Sequence, residues 1–181
     1  MEIRTKDPLK KLTSKIGSGA TPRGGSNAYK DSGISLIRSQ NVHDFIFSYN
    51  GLAFIDKDQA KLLDSVTVLE NDILLNITGD SIARACIVPK DVLPARVNQH
   101  VSIIRCKNTE EANFVLGYLQ YLKKHLLSIC KVGGTRNALT KEAIEKIVIK
   151  KVPNHIARGK IISIINSQIE LNNRINAELE A

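Results

Sequence analysis

The length, composition and charge of the chain predict one folded domain with a basic surface. Its 181 residues suit a single domain, and a hydrophobic content of 43% supplies a core, which argues against a disordered or collagen-like chain and against a two-domain enzyme. Lys and Arg number 26 against 18 Asp and Glu, and the resulting charge of +8 makes polyanions plausible partners while leaving acidic proteins and membrane surfaces open. Residues 154–181 are balanced in charge, so the whole excess lies in residues 1–153.

The cysteines and the apolar runs predict a cytoplasmic protein. Cys86, Cys106 and Cys130 are widely spaced and form no CxxC pair, which argues against a disulfide framework or a zinc ribbon and indicates no metal site. The first residues lack the apolar stretch of a signal peptide, and no run of about 18 apolar residues occurs.

The first part of the chain is predicted to be rich in β-strands separated by polar loops. Residues 34–42 read as a strand that runs into a polar turn, and residues 66–69, 72–78 and 82–88 read as further strands. Residues 97–106 alternate apolar and polar side chains, as a half-buried strand does.

The second part is predicted to be mainly helical. An N-cap signal at Thr109 and apolar residues at helical spacing predict a helix over residues 110–130. A capped helical turn over 140–146 and a strand over 147–152 follow, and a last helix extends from about residue 154 to the end.

The patterns of several enzyme classes are absent from the sequence. It contains no phosphate loop, no dinucleotide-binding GxGxxG, no HExxH and no GxSxG. None of the lysines has Asp or Glu two positions before it, as the metal site of a restriction-type nuclease requires. We therefore expect no catalytic residue in this chain, and a stand-alone nuclease is the disfavoured hypothesis.

Five segments in a fixed order carry a resemblance to a known family. They are GSGATP (17–22), ISLIRSQNV (34–42), ENDILLNITGD (70–80), VNQHVSIIR (97–105) and GGTRNALTKEAIEKIVIKKVP (133–153), and a long helix follows them. In this order they resemble the target recognition domain and conserved helix of type I restriction-modification specificity subunits. The resemblance implies an α/β (α+β) fold, with a β-rich recognition domain at residues 1–152 and a dimerisation helix at residues 153–181.

The resemblance also implies a function and a set of partners. A specificity subunit recognises double-stranded DNA and directs methylation (M) subunits, which use S-adenosylmethionine, and an ATP-driven restriction (R) subunit, so we expect no cofactor on this chain. The family usually carries two recognition domains and two helices, whereas this chain has one of each. It therefore looks like a half-subunit whose two copies pair through antiparallel helices and read an interrupted palindrome.

Polar side chains at the strand ends are the candidate DNA-binding residues. Hydroxyl, glycine and arginine groups suit phosphates, while Arg, Gln and Asn side chains suit base edges. The candidates are Ser18, Gly19, Thr21, Arg23, Arg38, Ser39, Gln40, Asn41, Thr78, Arg84, Gly133, Gly134, Thr135, Arg136 and Asn137. The sequence also suggests that Asp80 braces Arg84 or faces a base amino group, and that Asn98 and His100 share one face of a strand opposite Gln99.

The last helix is apolar on more than one side, which leaves two interpretations open. It folds back on its own domain, or it forms a coiled coil with a second helix. For the second interpretation the candidate dimerisation residues are Ile161, Ile162, Ile165, Ile169, Ile175 and Leu179. A rival function is a protein-interaction module, an exchangeable or inhibitory half-subunit that binds methylation subunits and reads no DNA alone.

Overall fold

A computed structural model describes residues 5–130 and 138–179 as a mixed α/β fold with a long C-terminal helix. The strands are β1 (Thr5–Pro8), β2 (Thr13–Ser18), β3 (Ile34–Ile37), β4 (Ala53–Ile55), β5 (Thr67–Val68), β6 (Ile73–Asn76), β7 (Ala85–Ile87), β8 (Ala95–Val97), β9 (Val101–Cys106) and β10 (Val148–Lys151). The helices are α1 (Leu9–Leu12), α2 (Lys57–Leu62), α3 (Thr109–Tyr121), α4 (Lys123–Cys130), α5 (Lys141–Glu145) and α6 (His155–Leu179).

Two four-stranded sheets form the centre of the domain. The first sheet has the order β2-β9-β6-β7 and is antiparallel throughout. The second has the order β4-β3-β8-β5, in which β3 and β8 run parallel and the other pairs antiparallel. A separate antiparallel pair, β1 with β10, brings the start of the domain to the strand that precedes α6.

The central strands β6 and β9 of the first sheet are largely buried on both faces and mostly apolar, whereas the edge strand β2 buries only Ile16. On β6, Ile73 and Leu75 point into a core shared with helices α3 and α4, while Leu74 points into a core shared with the second sheet. Strand β9 does the same with Ile104 and Ile103. This alternation follows from the two-residue period of a strand and produces three layers: helices, first sheet and second sheet.

The prediction of one strand over residues 97–106 is wrong. Strand β8 ends at Val97 and β9 begins at Val101, and the two strands belong to different sheets. The side-chain oxygen of Asn98 accepts a hydrogen bond from the His100 backbone N–H at 3.1 Å, and the Asn98 carbonyl accepts from Val101 N–H at 3.1 Å. Because this local turn satisfies the backbone, the strand stops there and the predicted facing of Asn98, Gln99 and His100 does not hold.

The predicted helix over 110–130 is present as two helices. Helix α3 ends at Tyr121, the cap residue Leu122 has a ψ of 2°, and α4 begins at Lys123. Leu119 and Leu126 on either side of this break are both fully buried in the core next to the first sheet. The apolar spacing thus predicts the buried residues of both helices but carries no signal of the break at Leu122.

The inner face of α6 packs directly on α3. A Cβ atom built on Gly159 would lie 1.9 Å from the carbonyl oxygen of Glu110, and one built on Gly117 would lie 2.7 Å from Cδ1 of Ile162. Both distances are shorter than van der Waals contact, so the two backbones approach closely where these residues have no side chain. The interpretation that the helix folds back on its own domain therefore holds for this face.

The outer face of α6 is exposed. Ile161 lies two positions after Gly159, and Ile164 lies two positions after Ile162, so each lies about 200° around the helix from a residue that contacts α3. The two isoleucines are 56% and 55% exposed. Further along the helix Ile165, Ile169, Leu171, Ile175 and Leu179 are exposed as well. Ile162, in contrast, is half-buried against α3, which corrects its assignment to a dimer interface.

The described residues show neither a membrane span nor a metal cluster. Across residues 5–130 and 138–179, no helix has both the length and the apolar content to cross a bilayer. Within the same ranges, no three His, Cys, Asp or Glu side chains come together as metal ligands would.

Candidate nucleic-acid interface

An open polar cleft lies where several strands end. It has a volume of about 830 Å³, and its lining comes from the turn after β3, from the β6–β7 connection and from the turn between β8 and β9. The lining residues are Ser39, Gln40, Thr78, Gly79, Asp80, Ser81, Arg84, His100 and Ala138. Three segments that are far apart in the sequence thus present polar side chains to one space.

A chain of hydrogen bonds joins one loop to another and reaches the cleft at His100 and Thr78. The Thr21 hydroxyl bonds to the side chain of Gln99, whose amide lies 3.0 Å from Nε2 of His100. Nδ1 of His100 lies 2.6 Å from the hydroxyl oxygen of Thr78. Because each imidazole nitrogen already has a partner, the ring is held in one orientation, and the loops that carry Thr21 and Thr78 are connected through it.

Asn76, in the first sheet, fixes the turn after β3 through hydrogen bonds to its backbone. It is fully buried at the end of β6, and its side-chain amide donates to the carbonyl of Ser39 at 2.9 Å and to that of Val42 at 3.3 Å. The first sheet therefore fixes the position of a turn that follows a strand of the second sheet. Ser39 and Gln40 are held at the cleft by this contact.

The predicted role of Gly19 as a phosphate donor does not fit its position. Its backbone N–H already donates to the carbonyl of Val101 at 2.9 Å, and a Cβ atom there would lie 2.1 Å from the carbonyl oxygen of Val97. Gly19 allows β2 to pass close to the turn between β8 and β9, which is a structural role. Ser18 beside it is exposed, at the end of β2.

Arg38 and Asn41 bond to their own domain. The guanidinium of Arg38 lies 5.1 Å from the ring centroid of Tyr29 and donates to the carbonyl of Gly51. Asn41 is fully buried, accepts from the Arg38 N–H at 3.0 Å and donates to the carbonyl of Ser48 at 2.9 Å. The sequence pattern suggested base readers here, but these two side chains brace the turn that presents their neighbours Ser39 and Gln40.

Gln40 and Arg84 are the side chains best placed for recognition. Gln40 is exposed, and its side-chain amide donates to the carbonyl of Gly51 at 3.2 Å. Arg84 is half-buried in the cleft wall, and among the described residues neither a hydrogen bond nor an ion pair joins it to Asp80. The suggested bracing of Arg84 by Asp80 is therefore absent, and both charges face the cleft. Arg23 is exposed outside it.

The glycine-rich candidates Gly133, Gly134, Thr135, Arg136 and Asn137 lie outside the described residues. Ala138, the next residue, bridges to Thr78 and lines the cleft.

Sequence reasoning underrated His100 and Gln99. The apolar alternation predicts a regular strand here, in which only alternate side chains reach one surface. The Asn–Gln–His run between two apolar stretches is a turn signal, and with that interpretation all three side chains lie near one strand end.

The cleft and α6 lie at opposite ends of the β6–β7 hairpin. The cleft is built on residues 78–84, which connect the two strands. The middle of α6, at Ser163 and Ser167, faces a groove lined by residues 70–71 and 87–91, which flank the other end of the hairpin. The exposed helix face is therefore separate from the cleft.

Comparisons with known proteins place the chain among restriction-modification proteins. The family model for the type I restriction modification DNA specificity domain matches residues 12–181. No curated protein sequence matches the chain.

The fold is shared with solved structures, which include the following three. The S subunit of a type I restriction-modification system from M. genitalium is 13% identical, with a TM-score of 0.68, and the match covers 98% of this chain and 42% of that one. The HsdS subunit from Thermoanaerobacter tengcongensis is 15% identical, with a TM-score of 0.63 and coverage of 98% and 40%. A chain from a study of complex assembly in the type I R-M system is 18% identical, with a TM-score of 0.67 and coverage of 98% and 42%. This chain thus spans about two fifths of the length of these relatives.

Proposed function

We propose that this chain, which belongs to the family of type I restriction modification DNA specificity domains, recognises a sequence in double-stranded DNA through the cleft. One observation carries the proposal: the turn after β3, the β6–β7 connection and the turn between β8 and β9 converge on one open polar surface. Side chains with amide, hydroxyl and guanidinium groups are those that read base edges and phosphates.

The described residues in and beside the cleft divide into two groups in this proposal. Gln40, Arg84 and Asp80 face the cleft and supply base contacts, since Gln matches adenine, Arg matches guanine and a carboxylate accepts from cytosine. Ser18, Thr21, Ser39 and Thr78 carry hydroxyls that suit phosphates or base edges. Gly19, Arg38 and Asn41 support these residues and are left out of the contact surface.

We expect Gln40→Ala and Arg84→Ala to weaken binding to the cognate DNA site. Loss of a bidentate base contact reduces affinity by about 1–3 kcal/mol, roughly 5- to 150-fold. Binding to unrelated duplex DNA is expected to change little, because phosphate contacts supply most of it. The measurement is a fluorescence anisotropy titration at several salt concentrations, with the cognate site taken from the methylation pattern that the system produces.

Lys11→Ala is the matched control for Arg84→Ala. Lys11 is exposed on α1, which precedes the first residue of β2, and the cleft lies near the last residue of that strand. Its replacement therefore removes the same charge without changing the cleft. If both variants lower the affinity for cognate and for unrelated DNA by the same factor, net charge alone accounts for binding. That result would refute the proposal that the cleft recognises the DNA.

The proposal gives the chain a recognition role and leaves catalysis to its partners. Methylation subunits and an ATP-driven restriction subunit of a type I system supply the chemistry, and no cofactor binds here. Residues 1–152 form the recognition domain and residues 153–181 the assembly helix, and the complex acts in the cytoplasm. The three free cysteines among the described residues fit that reducing compartment.

The proposal also makes the chain half of a specificity unit, completed by a second copy through the exposed face of α6. A stripe of aliphatic side chains this long is stabilised when another surface covers it. We expect light scattering to give twice the chain mass of 20.0 kDa over a range of concentrations. A mass of 20.0 kDa throughout would instead require a different polypeptide on the helix.

A second candidate function rests on the same exposed stripe. The chain would then bind methylation subunits as an exchangeable or inhibitory half-subunit and read no DNA. A complex with methylation subunits whose DNA selectivity is unchanged by Gln40→Ala and Arg84→Ala would favour this candidate.

A further inference from the structure

We infer that a basic groove beside the cleft binds the phosphates of the DNA that flanks the recognised sequence. The groove has a volume of about 510 Å³, lies between α1, β2 and α5, and has Lys10, Lys15, Lys141 and Glu145 as its charged lining residues. The inference rests on the proposed function and deepens it, because it gives the direction in which the duplex leaves the cleft.

The charge of the groove suits a polyanion. The side chains of Lys10 and Lys141 are 71% and 57% exposed, and both pair with Glu145, at 3.3 Å and 3.9 Å. Lys15 is half-buried, and its ammonium group is held in place because it donates to the carbonyl of Ser65 at 2.7 Å. Three positive charges against one negative charge leave the groove with a net charge of +2.

The lysine ammonium groups are the donors that remain for an anion. The hydroxyl of Thr13 donates to the carbonyl of Leu9 at 3.1 Å, and that of Ser14 donates to the carbonyl of Arg105 at 3.4 Å, so both hydroxyls are occupied. Each groove lysine has one hydrogen-bond or ion-pair partner among the described residues. An ammonium group has three N–H donors, so two on each lysine are left for phosphate oxygens.

Lys15 lies where a bound anion is favoured. Burial and, to a smaller extent, the positive charge of Arg105 lower the pKa of Lys15. A phosphate beside the ammonium group favours its charged form and therefore opposes both effects.

Two segments of the chain connect the groove to the cleft. Strand β2 begins at Thr13 in the groove, and its last residue, Ser18, lies near the cleft. Ala138 lines the cleft, and Lys141, three residues later, lines the groove. The groove and the cleft therefore adjoin along β2, the edge strand of the first sheet.

The distance between the two sites matches a short stretch of duplex DNA. Three to five residues separate Lys15 and Thr13 from Ser18, which at about 3.3 Å per residue is about 10–17 Å. Base pairs of B-DNA lie about 3.4 Å apart along the axis, so this distance corresponds to about three to five base pairs beyond the cleft. A duplex that leaves the cleft along β2 brings its flanking phosphates to the groove lysines.

Charge disfavours the path along the other edge strand of the sheet, β7. The groove between α6 and the β6–β7 hairpin lies on that side, and its charged lining residues are Glu70, Asp91, Glu170 and Lys90. Three negative charges against one positive charge would repel phosphates there. The basic groove on the β2 side is thus the favoured path.

Lys10→Ala and Lys11→Ala test the groove as a matched pair. The two exposed lysines are neighbours on α1, and of the two Lys10 lines the groove. We expect Lys10→Ala to lower the affinity for cognate and for unrelated duplex DNA by the same factor, roughly 5- to 10-fold at 0.1 M salt, because one counterion fewer is released. The slope of log affinity against log salt is expected to fall in magnitude by about 1 in Lys10→Ala and to change little in Lys11→Ala. Fluorescence anisotropy titrations at several salt concentrations measure both quantities.

Glu145→Gln is expected to change the affinity in the opposite direction. The substitution frees the ammonium groups of Lys10 and Lys141 and removes a charge that repels phosphate. We expect the affinity for both DNAs to rise by up to about fivefold, the range of an exposed charge pair. Glu178→Gln, near the end of α6, removes the same charge far from the groove and is expected to leave the affinity unchanged.

The length of the duplex gives a readout that net charge alone does not affect. A duplex with one recognised half-site is lengthened by single base pairs on one side at a time. We expect the affinity of the wild-type chain to rise when the flank on one side reaches about three to five base pairs, and Lys10→Ala to abolish that rise.

The outcomes separate the groove from the cleft. Equal effects of Lys10→Ala and Lys11→Ala, or an affinity that does not depend on flank length, would overturn the inference. The cleft would still stand in that case if Gln40→Ala and Arg84→Ala weaken cognate binding. A wild-type chain that binds no duplex DNA would overturn both the groove and the proposed function.

Discussion

Replacement of Arg105 by alanine is expected to destabilise the fold by about 3–5 kcal/mol, because it leaves a buried carboxylate without its partner. The Asp72 side chain has no exposed area, and Arg105 donates to it from Nε at 2.8 Å and from Nη2 at 2.7 Å. The same guanidinium donates to the carbonyl of Thr67 at 3.1 Å, so it joins the first sheet to β5 of the second. Chemical denaturation followed by circular dichroism measures the loss.

Lys10→Ala provides the control for an ordinary surface ion pair. Lys10 pairs with Glu145 at 3.3 Å, and its side chain is 71% exposed, so its loss is expected to change stability by about 0–1 kcal/mol. If both variants lost a similar amount of unfolding free energy, the buried Arg105–Asp72 pair would contribute no more to stability than an exposed ion pair.

Gly159→Ala is expected to reduce stability although alanine is the better helix former. Helix propensity alone favours the substitution by about 1 kcal/mol. The new methyl group would lie 1.9 Å from the Glu110 carbonyl oxygen, so α6 must move away from α3, and overpacking of this kind costs about 1–3 kcal/mol, occasionally more. The measured sign of the change in unfolding free energy therefore reports whether the two helices are in contact.

Gly117→Ala is the matched substitution on the other helix. Its methyl group would meet Cδ1 of Ile162 at 2.7 Å, the far end of a flexible side chain that can rotate away. We expect this variant to be near neutral, because the propensity gain offsets a small repacking cost. Stabilisation by both variants would contradict the close packing of α6 on α3.

Most helices and strands can be predicted from the periodicity of apolar residues. Local polar turns limit the accuracy with which their ends can be predicted. Strands such as β3 and β6, the cap at Thr140 and the terminal helix follow from patterns of apolar and capping residues. The turn over residues 98–100 was missed because an Asn side chain competes for backbone groups that a strand would use. The pairing of parallel β3 with β8 was beyond prediction, since it joins segments about 60 residues apart.

The candidate site was predictable as a set of loops and less so residue by residue. Thr78, Gln40 and Arg84 line the cleft. Arg38 and Asn41 have the same chemistry in the sequence, yet their side chains turn to Tyr29, Gly51 and Ser48, partners that only the folded chain brings near. On the terminal helix, spacing identified the apolar residues but not which face α3 would cover.

The anchoring of the turn after β3 has a consequence for how such a domain changes its target. Asn76 holds the turn through the carbonyl groups of Ser39 and Val42, and every amino acid has a carbonyl group. The side chain at position 40 contributes nothing to that anchor. New side chains at position 40 are thus compatible with an unchanged scaffold, whereas Arg38 and Asn41 brace the turn through their side chains. A lineage can therefore acquire new sequence preferences at position 40 with little loss of folding stability.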